Sequence, residues 1–187
     1  MNPVVIDPVS VPLLQVERHE WQRAEASLEL ARITRQPLRL CEALAELGRC
    51  ERRSGQPENA ADRFDEALRW ARVVSSADLL ADLLCERGEL AADQAVDPDT
   101  PLADPEPDAW LMARACAAEA ASLAALTSDP GWEVQVLLRA SDLFHRLGIA
   151  GEAVALQTRA MERSGGTSPR RGTPPAATDE LANPTVQ

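Results

Sequence analysis

Residues 43–68 read "ALAELGRCERRSGQPENAADRFDEAL", two apolar stripes set on either side of a Gly-x-Pro break. Before the break, Leu44, Leu47 and Gly48 share one helical face; after it, Ala60, Phe64 and Ala67 do the same. Gly48 leaves a gap one turn from Leu44, Ala60 and Ala67 supply low points on the facing helix, and Phe64 fills what remains. A hairpin of this kind cannot cover its own apolar face. It needs a second hairpin stacked beside it, and repeated stacking builds a superhelix.

The same spacing returns along the chain. In "SADLLADLLCERGELAADQA", residues 76–95, the stripe is Leu80, Leu83, Leu84, Gly88 and Ala91, and Leu84 and Gly88 stand 40 residues after Leu44 and Gly48. A more degenerate copy holds Val134, Leu137, Ala140, Ser141, Phe144 and Leu147, followed by Ala153 and Ala160. Seven helices are expected: from Val11 to Ile33 with Ser10 as cap and Pro37 as stop, from Leu38 to Arg53, from Pro57 to Val74, from Ser76 onward, from Ala109 to Leu126, from Asp129 and Pro130 to Gly148, and from Gly151 to Met161. Residues 93–108, "DQAVDPDTPLADPEPD", hold six acids and four prolines with no base and read as an acidic loop inserted in the second repeat. The 53 residues from Gly88 to Ser141 exceed the 40-residue step by 13, close to the length of that loop. Residues 1–163 form one helical domain in this reading. Residues 164–187, rich in Gly, Pro and Thr, form a disordered tail.

Composition agrees with an all-α protein. Of the 187 residues 45% are hydrophobic but only 3% aromatic, so the core rests on Leu, Ala and Val, and the first two are strong helix formers. The formal net charge is −11, and all 19 basic residues are Arg. Such a chain repels phosphate backbones and anionic lipid surfaces, which argues against nucleic-acid and membrane partners. Cys41, Cys50, Cys85 and Cys116 form no Cys-x-x-Cys pair, and His19 and His145 have no ligand-like neighbours, so no metal or cofactor is expected. Four thiols read as buried and free fit a reducing cytoplasm. No phosphate loop, His-Glu-x-x-His or nucleophile elbow occurs, and no catalytic residue is assigned.

Leu44, Leu47, Gly48, Ala60, Phe64 and Ala67 fall in the pattern of the tetratricopeptide repeat family, which this chain resembles from about Trp21 to Met161. Glu51 stands where that family usually has an aromatic, Leu44 replaces its frequent Trp, and the period is closer to the longer variants. The resemblance implies a right-handed superhelical stack of antiparallel helix pairs, with packing positions at Leu84, Gly88, Ala140, Phe144, Ala153 and Ala160. It also implies a concave groove, lined by the first helix of each pair, that binds a peptide or protein segment. The groove candidates are Glu42, Arg49, Arg52 and Arg53, then Asp82, Cys85 and Glu89, then Gln135, Leu138, Asp142 and His145. Ala45, Glu46 and Glu86 occupy places where some relatives clamp a terminal carboxylate, so that mode is not expected. Arg49, Arg52 and Arg53 suit an acidic segment, the chain's own acidic loop included. A non-catalytic interaction scaffold is the function expected, with self-association as a homodimer or a secretion-type chaperone as alternatives.

Overall fold

The computed structural model describes residues 10–95 and 107–165, with side chains from residue 18 in the first stretch and from 108 in the second. These residues form seven α-helices and no strand: α1 (Ser10–Thr34), α2 (Pro37–Arg53), α3 (Pro57–Val74), α4 (Ala77–Ala95), α5 (Pro107–Ala124), α6 (Pro130–Arg146) and α7 (Ala150–Gly165). The most extensive packing joins α2 to α3, α4 to α5, and α6 to α7. Contacts of α3 with α4 and of α5 with α6 then link one pair to the next, and α1 lies against α2 as a half-pair at the start. The protein is a helical-repeat solenoid.

Prolines and glycines set the boundaries. Pro37, Pro57 and Pro130 each open a helix at its first turn, where a missing N–H costs nothing. Pro37 therefore starts α2 rather than stopping α1, which ends at Thr34 ahead of Arg35 in a left-handed conformation. At the ends of α2 and α6, Gly55 and Gly148 take φ of 73° and 75°. The N–H of Gln56 then donates to the Glu51 carbonyl and that of Ile149 to the Phe144 carbonyl, closing two matching Schellman turns. Asp129 caps α6, its carboxylate accepting from the N–H groups of Gly131 and Trp132.

A single core runs through all seven helices, built from Ala24 and Leu28 at one end to Ala153 and Ala160 at the other. Leu44, Leu47, Ala60, Phe64, Ala67, Leu84, Ala140 and Phe144 all lie in it. A Cβ added to Gly48 would stand 3.1 Å from the Phe64 ring, and one added to Gly88 would stand 3.0 Å from Leu143 and 3.1 Å from the Cys116 Cβ. Both glycines are thus sites of close helix approach. Two stripes differ from expectation: Leu80 and Val134 are only half-buried, while Ala81, Val136 and Leu143 are buried. Their helices contact neighbours on more than one side, which rotates the buried sector away from a simple two-helix seam.

The acidic loop is shorter than its composition implies. Residues 93–95 belong to α4 and residues 107–108 to α5. Asp93 stays helical because two arginines neutralise it, and Pro107 sits where a helix tolerates it. The remainder of that loop lies outside the described residues. Helix α5 also runs two residues earlier at both ends than expected, and α7 continues to Gly165, so the domain extends past residue 163. The rest of the expected tail lies outside the described residues.

Candidate functional site

Helices α2, α4 and α6 are the first members of the three pairs, and their exposed edges are joined by a strip of ion pairs. Arg49 of α2 donates through Nε to both oxygens of Glu86 of α4, at 2.8 and 3.0 Å. One turn on, Arg52 reaches Glu89 at 3.3 Å and Asp93 at 2.6 Å. From the other side, Arg139 of α6 donates to the same Glu89 at 2.8 Å and to Asp82 at 3.5 Å, and Arg146 bonds Asp93. Arg53 extends the strip back to Glu20 of α1 at 2.6 Å. Glu89 and Asp93 each serve two arginines from different helices.

The strip follows from register. Glu86 and Glu89 lie 37 residues after Arg49 and Arg52, one turn short of the 40-residue step that relates α2 to α4. Parallel helices stacked side by side place such residues at arginine reach, since i and i+3 neighbours share a face. The backbones of α2 and α4 scarcely touch, whereas α4 and α6 pack directly. Long side chains therefore carry much of the first seam along this edge. Helix α4 has no basic residue in its last turn and has Asp93 there instead, an arrangement opposed to its dipole. Arg52 and Arg146 supply the missing positive charge from outside the helix. Burial is the largest influence on the Arg52 and Arg139 guanidiniums and would lower them. The carboxylates outweigh it in both, joined at Arg139 by the Cys85 sulfur, and the net direction is upward.

The structure divides the expected groove residues. Arg49, Arg52, Arg53, Asp82 and Glu89 come together in the strip. Glu42 pairs instead with Arg39 of its own helix at 3.2 Å. Cys85 is not a groove residue: it is fully buried, and burial pushes its thiol up to about 12. Its place on the 40-residue step matches Ala45, which is buried as well. Gln135, Leu138, Asp142 and His145 are exposed on α6, but Arg139 and Arg146 make the links to α4. Sequence reading missed those two arginines and Asp93. The usable signal was the run of acids on α4, Asp82, Glu89 and Asp93, at helical spacing beside the two arginines seven residues apart on α6.

Arg49, Arg52, Arg53, Glu86, Glu89 and Arg139 line a hollow of about 440 Å³. A larger one, about 500 Å³, lies between α1 and the α2–α3 turn and shares Arg53 with it; Trp21, Arg18 and Cys50 are among its walls. Burial pushes the thiols of Cys41 and Cys116 up to about 11, so with Cys85 they are poor nucleophiles at neutral pH. The described residues contain no group of His, Cys, Asp and Glu able to hold a metal ion and no helix long and apolar enough to cross a membrane.

No family model matches the chain, and no curated protein matches it. Among solved structures it is similar to the crystal structure of BtubC (BKLC) from P. vanneervenii, at 14% sequence identity and a TM-score of 0.64. The match covers 88% of this chain and 63% of that one. At so low an identity the likeness is one of fold.

Proposed function

We propose that the protein is a non-catalytic interaction scaffold of tetratricopeptide-like design, and that a segment of a partner protein binds along the edge formed by α2, α4 and α6. The observation that carries this reading is the hollow over the first seam, where three helices contribute charged side chains to one surface. A surface already organised by shared ion pairs offers ordered donors and acceptors, so a partner loses less entropy on docking. The raised thiol pKa values favour a binding role over nucleophilic chemistry, and four buried free thiols fit a reducing, cytoplasmic setting. The net charge of −11 favours protein over nucleic-acid or anionic lipid partners.

A photo-crosslinking residue at position 46, beside the strip on α2, and another at the exposed Val73 on α3 test the reading. Crosslinks to a partner from position 46 and none from position 73 are expected. The reverse pattern rejects binding along this edge.

One observation favours self-association as a second reading. Leu138 is 45% exposed although it stands 53 residues after the buried Cys85, the spacing from Gly88 to Ser141. Met161 is 63% exposed 40 residues after the buried Ala121. Both lie on the last pair, where no further pair among the described residues covers them. Sedimentation of Leu138→Glu/Met161→Glu beside the parent protein tests this: loss of a dimer supports pairing through this end, and a monomer in both rejects it.

A further inference from the structure

The strip is balanced in formal charge but not in what it shows to solvent. Where Arg49 meets Glu86, the arginine side chain is 46% exposed and the glutamate 15%. Arg53 is 55% exposed and its partner Glu20 is 38%. At Arg49 the carboxylate lies beneath and the guanidinium on top, and in both pairs the arginine is the more exposed partner.

The donors of these two arginines are also incompletely used. Arg139 commits all three nitrogens to Glu89 and Asp82. Among the described residues Arg49 uses only Nε, and neither of its terminal nitrogens has a partner. Arg53 uses only Nη2, shared between Glu20 and the Cys50 sulfur. A ligand can therefore take up these donors without breaking the ladder to α4. Arg49 and Arg53 are four residues apart on one helix and line the same hollow, Arg49 leaning toward α4 and Arg53 toward α1.

We infer that the partner segment is an acidic one, with carboxylates that pair with the free guanidinium ends of Arg49 and Arg53. This rests on the reading given above, that a partner segment binds along the α2–α4–α6 edge. Recognition is local: the chain as a whole repels anions at long range, so affinity depends on short, fork-like carboxylate contacts rather than on steering. Such contacts weaken with salt but require the planar geometry of Arg.

The test uses the full chain and three fluorescent peptide pools of equal length, with Asp/Glu, Asn/Gln or Lys at alternate positions, read by anisotropy. At 50 mM salt the acidic pool is expected to bind at least tenfold tighter than the amide pool, and at 500 mM that preference should fall severalfold. Arg49→Gln/Arg53→Gln should abolish the preference, Arg49→Lys should lose much of it, and Arg72→Gln on α3 should retain it. Unchanged helicity in each variant separates lost binding from lost fold. If the amide or lysine pool binds as tightly and crosslinks at position 46, the acidic class is wrong while binding along the α2–α4–α6 edge survives. If no pool binds, or if the double variant keeps the acidic preference, the inference fails.

Discussion

Glu51 and Glu133 are both buried carboxylates in the first helix of a pair, and their surroundings drive them in opposite directions. Burial would raise Glu133, but hydrogen bonds and charges from Arg163 and Arg159, at 2.6 and 2.9 Å, outweigh it and lower its pKa. At Glu51 burial dominates; Arg63 reaches only one oxygen, at 3.3 Å, and the other oxygen has no partner, so its pKa is raised. The lowered group stabilises the fold above its unfolded pKa, and that contribution disappears as pH falls through the folded value. The raised group does the reverse: its contribution is complete below the unfolded pKa and is lost as pH rises through the folded one. Glu133→Gln should therefore cost roughly 1–3 kcal/mol at pH 7, a cost that shrinks as pH falls below the ordinary carboxylate range. Glu51→Gln should raise stability at pH 7 by about 1 kcal/mol and have little effect in acid. Urea titrations of both variants across that range check the signs; parallel pH profiles for the two would contradict them.

At the scale of the element, the paired helices depend on two glycines whose neighbours differ in compliance. The atoms facing Gly48 are the edge of the Phe64 ring, at 3.1 and 3.2 Å, and the Arg63 Cβ, fixed to the α3 backbone but farther off at 3.3 Å. Those facing Gly88 are the tip of Leu143 and the Cβ of Cys116, and the second is fixed to the α5 backbone. Alanine gains up to about 1 kcal/mol over glycine in a helix interior, and overpacking costs about 1–3 kcal/mol. Gly48→Ala is thus expected to be near neutral and Gly88→Ala destabilising by about 1–2 kcal/mol, a ranking that melting curves can check. Equal effects would mean that α4 and α5 can separate as easily as α2 and α3.

For the whole molecule, the seams between pairs are unequal. The α4–α6 seam has packed backbones and ion pairs, whereas along this edge the α2–α4 seam relies on Arg49–Glu86, Arg52–Glu89 and Arg52–Asp93. Exposed pairs contribute up to about 1 kcal/mol each and are screened within about 3 Å at 1 M salt. High salt should open this seam, giving a measurable rise in radius of gyration by small-angle scattering at constant helicity. Asp93→Asn, which frees Arg146 and leaves Arg52 with Glu89 alone, should produce part of that expansion already at low salt. A radius that stays constant across both changes would show that the contacts of α3 with α4 alone fix the curvature.

The spacing of Leu44, Gly48, Ala60 and Phe64, with Pro57 and Gly55 between them, was enough to specify a helix pair, because helix period, first-turn prolines and left-handed glycines act over a few residues. The 40-residue step to Leu84 and Gly88 then implied stacking. Composition misplaced the start of the acidic loop because it could not see that Arg52 and Arg146 hold Asp93 in the last turn of α4. Nor did it show that Arg139 and Arg146, rather than Gln135 and His145, face α4, or that Cys85 is covered while Leu138 is open. Those outcomes depend on the offset and rotation between stacked pairs. Such offsets are set by side chains far apart in the chain, so a charged residue's partner is decided by the seam it meets rather than by its sequence neighbours.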